Sequence, residues 1–357
     1  MVDIALGLLS ALQKSNPYTV SFTASAQTVS LNQDIRATVG GKLRKWPASS
    51  AVTLPALVGG TDYAIYACAD GTLQASANFS APAGYDATNS TQIGGFHYAP
   101  GGNAAAQDGG DTTPQINPYS LWDLKWRPAC ADPRGMTLVA GRFWCDIYLT
   151  GIDVDANGSS RHGVTIADGA SPPKVPAMFG GNGSATYGSF TWFEARELLA
   201  SVGKDLLDYG EFAAASYGAK EAAGRGTDPE TTGLGTSNTG SSNADEKFTS
   251  RWGLMQSTGC MWVWGRDLIS RITVGDAPAD AAALAADINS YTNRAVTKGR
   301  GSMYLQATSY GIAASLFGGI WHFGSNCGSR ASYWSRQPWY SFSYIGARGR
   351  CDHLFNV

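Results

Sequence analysis

Along the first third of the chain, apolar and polar residues alternate in short runs that are cut by turn residues. Residues 18–24, 33–39, 51–57, 62–68 and 91–98 each follow this period of two, the pattern of a half-buried strand. Gly40-Gly41, Gly59-Gly60, Asp70-Gly71 and Pro82-Ala83-Gly84 separate them, at hairpin and turn positions that call for positive φ. The expectation is a β-sandwich domain over residues 17–124. Gly, Ala, Asp and Thr dominate residues 98–117, so a long surface loop should lead to the segment 122–126 and to a domain boundary there.

The pattern changes after Met136. Residues 137–148 read as paired strands, and residues 252–264 as a Trp-rich strand pair. Trp192, Ala195, Leu199 and Val202 recur at helical spacing and stop at Gly203, a residue suited to the position just past a helix. A second short helix is expected over residues 209–215, and an Ala-rich, solvent-facing one over 277–293. Residues 220–247 have no periodicity and read as a long loop. At the N-terminus, Ile4, Leu6, Leu8, Leu9 and Leu12 are apolar, but Asp3 stands where a secretory signal has basic residues and no small-residue cleavage site follows. Residues 1–16 therefore read as a short amphipathic helix that packs on its own fold or on a partner subunit.

Composition sharpens this picture. At 357 residues and 43% hydrophobic content the chain can bury substantial cores. Only 15% of residues are charged while Gly numbers 44, which favours irregular, loop-rich β structure over long helices. The fold class expected is α+β, mostly β and irregular. A net charge of −2 without a basic cluster gives no footprint for a nucleic-acid backbone. No apolar run is long enough for membrane insertion. Cys68, Cys130, Cys145, Cys260, Cys327 and Cys351 form no C-x-x-C pair, so neither a zinc site nor a dense disulfide scaffold is indicated. The pairings Cys130 with Cys145 and Cys327 with Cys351 stay open.

Few motifs carry chemistry. Asp153, Asp155 and Asn157, followed by Gly158, match the opening of a calcium loop, but Val164 stands where its closing bidentate acid belongs. A plain Asp/Asn turn is the favoured reading, and a structural calcium ion the alternative. The Gly-rich stretches 101–110 and 226–240 lack the Lys-Ser/Thr ending of a phosphate loop. His97, His162, His322 and His353 have no metal-ligand spacing. Asp352 and His353 are adjacent, yet no activated nucleophile accompanies them, so no catalytic residue is assigned.

The C-terminal stretch is the most specific. It contains Leu316-Phe317-Gly318-Gly319-Ile320-Trp321, Gly328-Ser329-Arg330-Ala331 and Gly346-Ala347-Arg348-Gly349-Arg350-Cys351-Asp352-His353. Upstream lie Gly60-Thr61-Asp62-Tyr63-Ala64-Ile65-Tyr66, Gly94-Gly95-Phe96-His97-Tyr98-Ala99-Pro100, Tyr119-Ser120-Leu121-Trp122-Asp123, Asp132-Pro133-Arg134-Gly135-Met136-Thr137 and Val164-Thr165-Ile166-Ala167-Asp168-Gly169. From about Gly59 to the C-terminus the chain resembles the bacteriophage major tropism determinants, variable receptor-binding proteins of diversity-generating retroelements. The resemblance implies a C-type-lectin-like, variable ligand-binding domain over residues 125–357 behind the β-sandwich. It also implies a homotrimer on the virion's tail fibre that binds a protein or glycan receptor on a host cell surface. The family begins with a β-prism domain, and Met1 to Ser15 departs from that.

Carrying over the family's variable positions gives Ile320, His322, Phe323, Gly324, Asn326, Tyr333, Ser335, Arg336, Tyr340, Phe342, Tyr344 and Ile345 as the expected contact residues. The family varies adenines in Asn-type codons, which cannot yield Trp, Gln, Glu, Lys or Met. None of these positions holds such a residue, while Trp321, Trp334 and Gln337 fall where the family is fixed. Tyr and Phe offer rigid contact area and Ser, Asn and Gly adaptable hydrogen bonds, as in antibody paratopes, with Arg336 as the candidate anchor. Tyr340, Phe342 and Tyr344, separated by Ser341 and Ser343, would share one face of a strand. The competing interpretation is that these aromatics form a core or pack subunits together in a structural virion protein.

An enzyme reading comes from the same region. Phe193 to Gly218, Gly253 to Trp264 and the stretch from Gly318-Gly319 to Cys351 also look like the formylglycine-generating and sulfatase-modifying family, whose oxidation chemistry needs two closely spaced cysteines after the Gly-Gly motif. Only Cys327 lies there, with Phe323 at about the place of the missing thiol. Without the pair a soft-metal thiolate site cannot form. No cofactor is expected.

Overall fold

The computed structural model describes residues 12–100, 113–234, 245–271, 300–304 and 311–355. The helix expected over 277–293 and most of the segment 1–16 lie outside them. Where that N-terminal segment is described, it is strand: Gln13–Lys14 pairs antiparallel with Ile35–Val39.

Residues 12–123 form two packed β layers. One holds Gln13–Lys14, Ile35–Val39 and Lys42–Trp46, with the hairpin Phe22–Ser25 and Thr28–Leu31. The other holds Thr61–Cys68, Leu73–Ser76 and Ser90–Ala99. Alternate side chains point inward, so Phe22, Leu31, Ile35, Val39, Ile65, Ile93 and Phe96 close one core. Residues 51–57 were expected as a strand, but only Ala51 and Thr53 make isolated bridges.

The second layer does not stop at the expected boundary. Ser90–Ala99 pairs with Trp122–Asp123, which turns into Trp126–Pro128. That strand pairs with the C-terminal strand Gly349–Phe355, which pairs in turn with Phe143–Asp146, next to Met136–Val139. The result is a ten-stranded sheet that crosses residue 124 without a break. A fixed ion pair lies beneath it: the buried Lys204 Nζ is 2.6 Å from Asp146 Oδ1 and 2.9 Å from Ser159 Oγ. Arg348 is fully buried nearby and donates to the carbonyls of Asp146, Ile147 and Met255 at 2.6–2.8 Å.

Two helices cover the C-terminal part. Trp192–Ala200 opens with Glu194 accepting from the Thr191 backbone N–H and buries Trp192, Ala195, Leu198 and Leu199. Tyr209–Ala215 opens with Asp208 and Glu211 accepting from each other's N–H at 2.8 and 3.0 Å. Both start where the helical periodicity starts. The expected strand pair over 252–264 is instead one strand, Trp262–Arg271. Residues 252–261 turn repeatedly, with positive φ at Gly253, Gln256 and Gly259. The chain is mostly β, with sheets as its main elements.

Candidate ligand-binding surface

A second, five-stranded sheet carries the residues of interest, in the order Met303–Tyr304, Ser332–Arg336, Gly311–Phe317, Trp262–Arg271 and Ile345–Gly346. Between its strands the chain makes a turn at residues 318–331 and a loop at 337–344. Mostly backbone contacts hold both. Gly318 and Gly319 have φ of +94° and +85°, and a Cβ on Gly319 would stand 2.6 Å from Cys327 Sγ. The Trp321 carbonyl accepts from Gly226 N–H at 2.8 Å, and a Cβ on Gly224 would stand 2.3 Å from that oxygen. Cys327 donates to the Ile320 carbonyl at 3.2 Å, and burial pushes its thiol up to about 12.

The loop is fastened in the same manner. Gly169 N–H donates to the Phe342 carbonyl at 3.1 Å, Trp262 N–H to the Tyr344 carbonyl at 3.0 Å and Trp192 N–H to the Pro338 carbonyl at 3.0 Å. The Phe190 N–H donates to Ser341 Oγ at 3.0 Å. Residues 340–344 are therefore a pinned loop and not the alternating strand expected. Their rings still converge. Tyr340 and Phe342 stack at 5.9 Å and 11°, Phe342 and Tyr344 lie 4.4 Å apart, and the Tyr340 and Tyr344 hydroxyls share a hydrogen bond of 3.1 Å.

Beside them is a cleft of about 100 Å³, lined by Trp262, Leu316, Ile320, His322, Phe323, Tyr333, Arg336 and Tyr344. That is room for about three water molecules or one side chain. The Arg336 guanidinium lies 4.5 Å from the Tyr340 ring centre and 5.4 Å from that of Tyr333, a cation held by two π faces. None of the described residues lining the cleft is acidic. Burial, then the hydrogen bond with Tyr340, pushes the Tyr344 phenol up to about 12, so it stays a neutral donor and acceptor at physiological pH.

The expected contact residues divide in this setting. His322, Gly324 and Phe342 are exposed, and Phe323, Asn326, Tyr333, Arg336, Tyr340 and Tyr344 are half-buried. Ile320, Ser335 and Ile345 are only 1%, 4% and 0% exposed, so their side chains form floor and not surface. Asn326 accepts from Ser302 Oγ at 3.0 Å. Trp334 sits in the interior against Phe317, 6.0 Å between ring centres. Reading positions one by one passed over Trp339, which is 66% exposed beside Tyr340, and the wall residues Trp262 and Leu316.

The other candidate chemistry resolves into structure. Asp153 caps the short helix Val154–Asn157 and accepts from Lys174 Nζ at 2.7 Å, while Asp155 accepts from Ala177 N–H at 2.8 Å. The two carboxylates serve separate partners, and among the described residues no group of three His, Cys, Asp or Glu side chains could hold a metal ion. Asp352 pairs with Arg350 at 2.7 Å, whereas His353 Nδ1 accepts from Trp144 Nε1 at 2.9 Å. His353 is pushed down by burial and by the Lys14 cation. All six cysteines are free thiols, so neither pairing left open by the sequence is formed. Among the described residues no helix is long and apolar enough to cross a membrane.

Fold and cleft together are those of a binding protein of mostly β architecture, with an aromatic surface carried on loops pinned to a sheet. Residues 19–123 match the family described as the Mtd second domain. The chain is 49% identical over 346 residues to the tail fiber receptor-binding protein of Bordetella phage BPP-1, covering 96% of this chain and 85% of that protein. The similarity thus reaches well upstream of Gly59. Among solved structures, the I1 variant of the major tropism determinant superposes with a TM-score of 0.84 at 47% identity, over 98% of this chain and 87% of that one. The U1 variant superposes with a TM-score of 0.84 at 46% identity, over 99% and 88%. The chain belongs to the major tropism determinant family.

Proposed function

We propose that this chain is a receptor-binding protein of a phage tail fibre, working by adhesion and without catalysis, and that His322, Phe323, Gly324, Asn326, Tyr333, Arg336, Tyr340, Phe342 and Tyr344 contact the host receptor. Ile320, Ser335 and Ile345 tune the same surface from below, by setting how the exposed residues sit. The observation that carries this reading is the cleft: a guanidinium clasped by two tyrosines, open to one side, with no acidic neighbour among the described lining residues. A cation in that state favours a carboxylate or other acidic group on the receptor, taken by its in-plane N–H donors. The cleft of about 100 Å³ has room for an acidic side chain of a protein receptor. Assembly as a homotrimer would multiply weak single-site contacts. Diversification by a retroelement accounts for a contact set confined to residues that Asn-type codons can reach.

The test is adherence of the fluorescently labelled full chain to a panel of bacterial strains. Arg336→Glu and Tyr340→Ala should each lower adherence by about 30-fold or more, as for an interface hot spot, while the melting temperature stays within a few degrees. Adherence that survives both changes at full strength would overturn the assignment of this surface. A near-duplicate of the last coding segment beside a reverse-transcriptase gene, differing at adenines, is the expected genomic sign of diversification.

A further inference from the structure

Of the features left unused by receptor binding, two buried thiols at the joint between the halves of the molecule carry the strongest chemistry. Trp126–Pro128 runs antiparallel to Gly349–Phe355 with Pro128 opposite His353, and the Ala129 N–H donates to the Asp352 carbonyl at 2.9 Å. One residue further along, the same register sets Cys130 opposite Cys351. Because Ala129 and Asp352 form the hydrogen-bonded pair, Cys130 and Cys351 fall at the closer, non-hydrogen-bonded kind of position, where Cα atoms lie about 4.5 Å apart. That is within the 4.4–6.8 Å span, roughly, over which a disulfide closes without backbone movement.

The side chains confirm the shared face. Cys130 Sγ is 3.6 Å and Cys351 Sγ 4.0 Å from the same Met136 sulfur, and all three pack with Trp122 and Trp144. The neighbouring Cys351 and then burial raise the Cys130 thiol, whereas the neighbouring Cys130 lowers the Cys351 thiol against the effect of burial, and the ammonium of Lys204 pulls both down. Cys351 is also slightly the more accessible, at 6% against 3%.

We propose that Cys130 and Cys351 are a modification site, a latent cross-strand disulfide that closes when the protein meets an oxidising medium. With a small disulfide such as oxidised glutathione as oxidant, the Cys351 thiolate attacks one of its sulfurs and expels the first glutathione thiolate. The Cys130 thiolate then attacks Cys351 Sγ, the mixed disulfide breaks and the second glutathione leaves. Two protein thiols are oxidised, one glutathione disulfide is reduced to two glutathiones, and the two protons pass to those products. The new bond staples the C-terminal strand, which follows directly on the candidate contact residues, to the strand that leads out of the sandwich. It is independent of what the surface binds.

The experiment uses the full chain purified with reductant, then incubated natively with or without oxidised glutathione and trapped with an alkylating agent. Oxidation should lower the intact mass by two hydrogens and join tryptic peptides 126–134 and 351–357 in a non-reducing digest. It should raise the melting temperature by about 5–10 °C, the effect of closing a long loop in a domain of this size. Cys130→Ser and Cys351→Ala should each abolish the joined peptide and the shift; with either one folded, the comparison stands. Six alkylatable thiols after native oxidation, a joined peptide involving another cysteine, or a joined peptide without a thermal shift in an alkylation-controlled sample would overturn the proposal.

Discussion

The joint around Arg348 and the face around Arg336 hold the same side chain in opposite ways. Arg348 is fully buried, its guanidinium spent on backbone carbonyls of residues 146, 147 and 255. Arg336 lies over the faces of Tyr333 and Tyr340 in the lining of the cleft. On the proposed reading, the contacts could be exchanged without endangering the fold. The Arg348 guanidinium is held by main-chain carbonyls beside the Lys204–Asp146 pair, and no side chain of the candidate contact residues enters those contacts.

The hardest blow to this division is Arg348→Met. It takes the guanidinium donors away from the carbonyls of Asp146, Ile147 and Met255, of which Ile147 keeps the Met255 N–H at 2.8 Å, and should cost about 3–5 kcal/mol by denaturant titration, enough to remove much of a domain's stability. Should it cost under about 1 kcal/mol, the joint is not the anchor described. Next comes Gly319→Ala, at a φ of +85° and 2.6 Å from Cys327 Sγ. A loss of about 1–3 kcal/mol is expected, together with weakened adherence because the display turn must shift. On the other side of the comparison, Tyr344→Phe removes only the hydroxyl shared with Tyr340 and should alter stability by about 0.5–1.5 kcal/mol or less.

The smallest effect is a slope. Asp228 stands in the segment that reaches under Trp321, and burial, then Asp168 and Glu230, raises its carboxyl to about 6. Below about pH 4 folded and unfolded chains both carry its proton; between about 4 and 6 only the folded chain does. Stability should therefore fall as pH rises through that window and level off above it. Asp228→Asn should flatten the fall, measured as melting temperature against pH. An unchanged profile would place the pH dependence elsewhere.

Local pattern was legible in the sequence where one face of an element is buried. The periods of 62–68 and 91–98 became Thr61–Cys68 and Ser90–Ala99, and Trp192 and Tyr209 open helices where the 3.6-residue spacing begins. Lys42–Trp46 escaped notice because Leu43 faces solvent and Lys and Arg fill the other positions. The pairing of Pro128 with His353 had no signature at all, since register between distant segments is set by packing and not by period. At the surface, the aromatic cluster was legible but its geometry was not. Residues 340–344 alternate like a strand, yet hydrogen bonds from Gly169, Phe190 and Trp262, all remote in sequence, bend them into a loop. That bend also turns Trp339 outward.

The unbroken sheet across residue 124 bears on how the molecule comes apart. Trp122–Asp123 and Trp126–Pro128 are too short to keep their places alone, and each borrows a neighbour from one half of the protein. Loosening either half exposes the other's ladder, so the two halves share one cooperative transition, and a calorimeter should record a single heat-absorption peak where two independent domains would give two.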